Sequence, residues 1–481
     1  MHTHEIVQRL WALCHVLRDD GITYHEYVTE LTYLLFLKMT EETGTAAQLP
    51  AGYRWPDLVA KDGTAQLEFY RTALVHLGTH GSRLVQAIFA NASTTLRQPR
   101  NLRKLVVDID ALDWYSARTE GLGDLYEGLL ERNANETKSG AGQYFTPRPL
   151  IESMVALVQP RAGEVVQDPA AGTGGFLVAA DRWIKQHTDE LFALPEAAQA
   201  FQRRDAFHGV ELVPDTHRLL LMNAMLHGIE GDGLLLGDTL SPEGKALGAA
   251  DVILTNPPFG TKKGGGRPTR DDFTYPTSNK QLAFLQHVYR GLKPGGRAAV
   301  VLPDNVLFEE GVGAQIRADL MDKCDLHTIL RLPTGIFYAQ GVKTNVLFFT
   351  RGPANRDTGN TERTWVYDLR ANMPSFGKRT PLTRGHFAQF EAAYGAYPLG
   401  TAERRDEGEA GRFRCFTREE VRKRGDNLDL AWLRDESAQR HDELPEPEEI
   451  AAEILAKLRE AMEEMEALSE ALAAPEPEAV A

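Results

Sequence analysis

The sequence predicts an α/β protein: a mostly parallel seven-stranded sheet with helices on both faces, flanked by a helical N-terminal region and a helical tail. Three observations point there. Between residues 165 and 350, short apolar runs alternate with helical patterns. Before Val106 apolar residues recur at helical spacing, with no strand-like alternation of any length. Near the end, Ile454, Leu458, Ala461, Met465, Leu468 and Leu472 follow a four-three spacing among Glu and Lys.

The 481 residues suffice for about three domains of ordinary size. With 25% charged and 8% aromatic residues, the composition is that of a soluble globular chain. No apolar run could span a bilayer, and Met1-His2-Thr3-His4-Glu5 lacks the profile of a secretion signal. Cys14, Cys324 and Cys415 are scattered and form no CxxC pair. A cytoplasmic location away from membranes is the expectation. The net charge of −15 argues against a nucleic-acid partner until its distribution is considered. Residues 435 to 481 hold 15 acids and 3 bases, so −12 sits in the tail and the rest of the chain carries −3. A nearly neutral body can present a basic face.

Taken in order, residues 1–138 read as a helical region. Leu31, Leu34, Leu35, Leu37 and Met39 form one apolar stretch at helical spacing. His76 and His80 stand four apart, as metal ligands on a helix can, but Gly78 lies between them and no acid adjoins either. Residues 133 to 142 are polar and glycine-bearing, a linker or loop. The strand-and-helix region spans 139–352. Its candidate strands are Val165 to Asp168, Phe207 to Leu212, Leu234 to Leu236, Val252 to Leu254, Ala298 to Leu302, His327 to Leu332 and Asn345 to Thr350. Helical patterns between them include Asp215 to His227 and Lys280 to Leu292. In such sheets ligands bind beyond the carboxyl ends of the strands. Residues 353–440 are mixed, rich in Arg and Gly and without a clear period. Residues 441–481 form the acidic tail. Its seam fits either a coiled-coil partner or packing on the chain's own body.

Chemistry-bearing residues fall at the strand ends. Asp168-Pro169-Ala170-Ala171-Gly172-Thr173-Gly174-Gly175 follows the first strand and opens a helix. Its glycines allow a close approach of backbone to ligand, and N–H groups point outward at such a turn. Glu211 ends the second strand, where a carboxylate can accept from ribose hydroxyls. It lies 43 residues beyond Asp168, more than the usual spacing of about 20, and an insertion between Asp181 and Arg204 accounts for the excess. Asp238 follows the third strand, placed to accept from an adenine amine. Each acid alone also reads as an ordinary strand-end solvating group. No phosphate-binding loop is present: Gly244-Lys245 is followed by Ala246. That favours a nucleoside with an uncharged or zwitterionic tail, such as S-adenosylmethionine, over a triphosphate. After the fourth strand comes Asn256-Pro257-Pro258-Phe259. Its prolines stiffen the turn, which presents an amide, a carbonyl and an aromatic ring to a flat amine-bearing ring. Alone, the stretch reads equally as a stiff surface loop.

Together, DPAAGTGGF, Glu211, Asp238 and NPPF resemble the class I, Rossmann-like methyltransferases that modify an exocyclic or amide nitrogen. GQYFTPR, TSNKQL and LPDNVLF narrow the resemblance to the modification (M) subunit of type I restriction-modification systems, in the gamma group of DNA adenine methyltransferases. The resemblance covers nearly the whole chain and is strongest over 139–352. It implies that Gln143, Tyr144, Phe145, Thr146, Pro147 and Arg148 form the N-terminal cofactor motif, packed over the methionine end. It further implies a cofactor-binding glycine loop at Asp168, Gly172, Thr173, Gly174 and Gly175, with Glu211 on the ribose and Asp238 on the adenine. Asn256, Pro257, Pro258 and Phe259 are implied to be catalytic. The substrate is then adenine flipped out of double-stranded DNA, with Phe259 stacking on it. No metal is implied. The family reads sequence through a separate specificity (S) subunit, with two M per S, and a restriction (R) subunit joins the full complex. A methyltransferase for an RNA base or a protein glutamine amide, and a catalytically silent scaffold, are the alternatives. Cytosine carbon-5 chemistry is disfavoured, because no Cys follows a Pro. The basic stretch Thr261 to Arg270 reads as a phosphate contact, a closing loop or a solvated loop. Thr277 to Lys280 reads as part of the target pocket or as a helix N-cap.

Overall fold

The computed structural model describes residues 3–14, 24–115, 121–136, 145–259, 268–337, 342–374, 376 and 380–434. The linker beyond Glu136, Gln143, Tyr144, the stretch 260–267 and the acidic tail lie outside the described residues. Among the described residues, one sheet contains β1 (Val166–Asp168), β2 (Phe207–Glu211), β3 (Leu234–Leu236), β4 (Ala250–Thr255), β5 (Leu292–Pro303), β6 (Cys324–Arg331), β7 (Thr344–Arg351), β8 (Arg363–Asp368) and β9 (Phe413–Thr417). Their order is β3-β2-β1-β4-β5-β7-β6-β8-β9. Ala298 to Leu302 in β5 form an unbroken buried apolar run, as a strand covered on both faces requires.

The α/β class is as expected, but the sheet has nine strands rather than seven and is mixed. β7 runs antiparallel to both β5 and β6, and β9 runs antiparallel to β8. The two added strands come from the region without a clear period. An arginine hides the second of them: Arg414 in β9 lays its guanidinium over Phe416 and Trp432, 5.1 and 5.6 Å from the ring centres. A charged residue there packs like an apolar one.

Before the sheet come α1 (Thr3–Ala12), α2 (Tyr24–Glu42), α3 (Trp55–Val59), α4 (Gly63–Leu77), α5 (Arg83–Ile88), α6 (Pro99–Asp110) and α7 (Leu122–Glu136). Within it are α8 (Arg148–Val158), α9 (Gly175–Gln186), α10 (Glu196–Arg204), α11 (Pro214–Leu226), α12 (Lys280–Gly291), α13 (Asn305–Phe308), α14 (Val312–Lys323), α15 (Ala388–Tyr394) and α16 (Arg418–Lys423). Successive residues of β4 serve opposite faces, as the pleat demands. Val252 and Leu254 join a core that runs on through Leu220 of α11 to Leu34 of α2. Ile253 joins a second core with Leu285 of α12 and Ile316 of α14. The N-terminal helices therefore share a continuous apolar core with one face of the sheet.

Arg218 of α11 fastens them further. It donates to the carbonyls of Ile88 (2.6 Å) and Ala90 (3.0 Å) and pairs with Asp215 at 2.6 Å. Ile88 and Ala90 stand at the end of α5, where carbonyls lack helical partners and a cation is favoured. No described helix is long and apolar enough to cross a membrane. β1 lies between β2 and β4, so the strand order reverses there. A crevice opens at that point, at the carboxyl ends of the strands.

Candidate active site

The first wall of the crevice is the glycine loop after β1. Gly172 and Gly174 adopt φ of 54° and 87°. A Cβ on Gly174 would stand 2.6 Å from the Leu220 side chain, so both conformation and space require glycine. Gly174 caps α9, which begins at Gly175. Asn223 of α11 holds the loop by donating to the Thr173 carbonyl at 2.9 Å.

Glu211, at the end of β2, spans two segments. Its Oε2 accepts the N–H of Gly172 at 3.0 Å and its Oε1 that of Val213 at 2.7 Å. Burial raises its carboxyl pKa, against the pull of these N–H donors. Asp168 is 1% exposed and accepts from Ala170 N–H at 3.0 Å. Burial drives its carboxyl up to about 7, with the Thr255 hydroxyl and Ala170 N–H opposing and the charge of Glu211 adding. The folded protein then binds a proton here more tightly than the unfolded chain. Stability contributed by this group falls as pH rises from about 4 towards the folded value. Asp168→Asn removes that penalty. The gain in urea midpoint is expected in full above pH 7 and should shrink towards about pH 4, the unfolded carboxyl range. A gain independent of pH would exclude the buried charge as its cause.

The second wall is the turn after β4. Asn256 is 6% exposed, and its Nδ2 donates to Oγ1 of Thr146 at 2.9 Å. That bond fixes the amide, directing its oxygen away from Thr146. Pro257 is buried, while Pro258 and Phe259 are half-buried. The ring of Phe259 meets that of Phe337 edge-on, 6.2 Å apart at 77°. The third wall is the segment entering α8. Phe145 and Thr146 precede Pro147, which stands at the N-cap, and Arg148 begins the helix.

These walls enclose a cavity of about 1090 Å³. Phe145, Thr146, Arg148, Asp168, Gly172, Thr173, Gly175, Glu211 and Asn256 all line it, though they come from segments far apart in the chain. Pro147 and Gly174 adjoin lining residues without lining it themselves. Asp238 does not line it; its Oδ1 accepts the N–H of Leu240 at 2.9 Å. Pro257, Pro258 and Phe259 follow Asn256 outside the lining. The cavity also reaches residues without any motif, among them Glu127 of α7 and Arg182 and Trp183 of α9. Neither these nor Phe337 had a local signal, since only the fold brings them to the site.

Arg270 is turned inward rather than towards solvent. It pairs with Asp272 at 2.5 Å, meets Nδ1 of His287 at 3.0 Å and donates to the Thr239 carbonyl at 3.1 Å. This end of the basic stretch is an anchor, not a phosphate contact. Asn279 caps α12, its Oδ1 accepting from Gln281 and Leu282 N–H at 3.0 and 3.2 Å. The rings of His76 and His80 stack 4.0 Å apart. Among the described residues, no group of three or more His, Cys, Asp or Glu is arranged to hold a metal.

A cavity of this size holds a nucleoside with an extended tail. Its acids suit ribose hydroxyls, and no lysine is among the described residues that line it. Comparison with known proteins agrees with this chemistry. The family model for N-6 DNA methylases matches residues 117–442. The type I restriction enzyme StySPI methylase subunit of Salmonella potsdam is 52% identical, covering 98% of this chain and 96% of that protein. The EcoKI methylase subunit of Escherichia coli (strain K12) is 52% identical over the same shares. The crystal structure of the EcoKI M protein matches with a TM-score of 0.59 at 48% identity, covering 98% and 97% of the two chains. A chain solved in work on complex assembly and conformational transition of the type I R-M system matches with a TM-score of 0.72 at 30% identity, covering 98% and 99%. On this evidence the chain belongs to the N-6 DNA methylases, among the methylase subunits of type I restriction enzymes.

Proposed function

We propose that this chain transfers a methyl group from S-adenosylmethionine to the exocyclic amine of adenine in DNA, as the modification subunit of a type I restriction-modification complex. The observation that carries this reading is the placement of Asn256 and the glycine loop on one cavity, with the amide oriented by Thr146. When bound, the cofactor supplies an electrophilic methyl on a sulfonium. Glu211 accepts from the ribose hydroxyls, and Phe145 and Thr146 cover the methionine end. Asp238, which does not line the cavity, is assigned the adenine-side role.

The adenine amine is a poor nucleophile because its lone pair is delocalised into the ring. The Asn256 side-chain oxygen and the Pro257 carbonyl accept its two N–H groups, which drives the nitrogen towards pyramidal geometry. Its lone pair then points at the methyl. Positioning and electrostatics lower the barrier, with no covalent enzyme intermediate. The base reaches this turn only when flipped from the duplex, and Phe259 stacks on it. An S subunit reads the sequence, with two copies of this chain per S, and an R subunit joins for restriction. The helical region 1–138 and the tail 441–481 supply the docking surfaces.

The test is transfer of labelled methyl from S-adenosylmethionine, with the S subunit present, to duplex DNA, RNA and protein in parallel. The expected result is label on adenine in DNA at defined sites. Label confined to RNA or protein would overturn the reading.

A further inference from the structure

Arg270 ends the basic stretch that follows the catalytic turn, yet its side chain is only 6% exposed. Nε and Nη2 fork onto Asp272 at 2.7 and 2.5 Å. Nη1 donates to the Thr239 carbonyl at 3.1 Å and to Nδ1 of His287, on α12, at 3.0 Å. A guanidinium only donates, so Nδ1 of His287 accepts and its Nε2 carries the proton. That Nε2 donates to Oε1 of Gln167 at 3.3 Å. Burial and the charge of Arg270 push the imidazole pKa down to about 3, against the pull of Asp272, so His287 is neutral at physiological pH. Thr239 donates from Oγ1 to the Pro169 carbonyl at 2.6 Å. Gln167, Thr239 and His287 are all buried. Gln167 and Pro169 are the two chain neighbours of Asp168. The arginine therefore reaches both sides of the residue that begins the glycine loop, through His287 on one side and Thr239 on the other.

Packing repeats the connection. The Arg270 guanidinium lies 4.6 Å from the ring centre of Phe273. Phe273 and Ala170 both pack against a small core of Leu240, Ala283 and Phe284. Asp168 and Ala170 line the cavity, whereas Arg270, Thr239 and His287 do not. A buried polar network whose members are satisfied fixes one geometry for the segments it joins. Resting on the proposed cofactor reading, we infer that Arg270 is a positioning residue for cofactor binding: from behind the cavity wall it holds the turn Asp168 to Ala170 and the segment at Thr239 in register with each other. Four hydrogen bonds already engage its guanidinium, and it touches no position a ligand would take. Support of this kind acts on the bound cofactor alike before and during methyl transfer. Its loss raises KM and leaves kcat in place.

The test measures methyl transfer to duplex DNA with the S subunit present, at saturating DNA and varied S-adenosylmethionine. Arg270→Met should raise the KM for S-adenosylmethionine about fivefold or more and keep kcat within about twofold of wild type. Titration of the full chain with S-adenosylhomocysteine should weaken by a similar factor. Arg270→Lys should recover part of the loss, since it restores the charge without the fork. Thr239→Val, which removes only the hydroxyl that reaches Pro169, should raise KM in the same way by a smaller factor. A purely structural role would lower the amount of folded enzyme, and so kcat, at unchanged KM. That result would overturn the inference, as would unchanged KM and kcat together, or a loss of DNA affinity with cofactor binding intact. Wild-type protein that does not bind S-adenosylhomocysteine would instead overturn the cofactor reading beneath it.

Discussion

Asn256→Ala is expected to reduce methyl transfer by about two to three orders of magnitude while cofactor affinity stays near wild type. An interaction made chiefly with the reacting group in the transition state carries a loss of that size. The side chain sits at the end of β4, 6% exposed, with its Nδ2 held by Thr146 at 2.9 Å. Alanine removes the acceptor and leaves the glycine loop and Glu211 untouched. Thr146→Val is the companion variant. It keeps the Asn256 oxygen but releases the amide to rotate, so a smaller loss, about tenfold, is expected. Single-turnover rates with saturating cofactor measure both, and titration with S-adenosylhomocysteine checks the site. An Asn256→Ala protein that methylates at the wild-type rate would remove the turn from the mechanism.

The largest effect on stability is expected from Arg370→Met. Arg370 follows β8 and is 9% exposed. It grips Asp304 with two bonds, at 2.7 and 2.9 Å, and donates to the carbonyls of Leu332 and Thr344 at 3.0 and 2.8 Å. Asn345 donates to the same Asp304 at 2.7 Å. Methionine would take both guanidinium bonds from the Asp304 carboxylate, leaving it the Asn345 bond, and the Arg370 donor from the Leu332 carbonyl, costing about 3–5 kcal/mol. Burial alone would raise the Asp304 pKa, but the Arg370 pair and the Asn345 bond outweigh it, and the net shift is downward. A depressed folded pKa gives stability that is present above the ordinary carboxylate range and lost as pH falls through the folded value. The difference between wild type and variant should therefore be full at neutral pH and narrow on acidification. Urea unfolding at several pH values measures it. Equal midpoints at neutral pH would show that the network contributes nothing.

These two variants also mark what the sequence made legible. Asn256 stood out because a strand, a turn residue and two prolines follow one another directly. The glycine loop and Glu211 were readable for the same reason: each is a short motif fixed to the end of a strand. Arg370 and Asp304 lie 66 residues apart, and nothing in either neighbourhood announces the other. Glu127 and Arg182, which line the cavity, and Phe337, which meets Phe259, were silent in the same way, since only the fold brings them there. β9 escaped because Arg414 interrupts its apolar run; in the fold its backbone pairs with β8, and Arg414 packs on Phe416 and Trp432. The direction of β7 was not legible either. Its apolar run, Val346 to Phe349, is buried throughout and reads alike in either orientation.

That one reversed strand decides at which end of the sheet the chain between β6 and β7 runs. Had β7 run with its neighbours, the chain leaving β6 would have returned to the far end of the sheet before entering it. Because β7 is antiparallel, the connection from Leu332 to Lys343 starts and finishes on the carboxyl edge, and it carries Phe337 to Phe259. Leu332 and Lys343, at the two ends of that connection, both stand at this edge. Substitutions at Phe337, against the Phe259 ring, can then be made without touching the glycine loop.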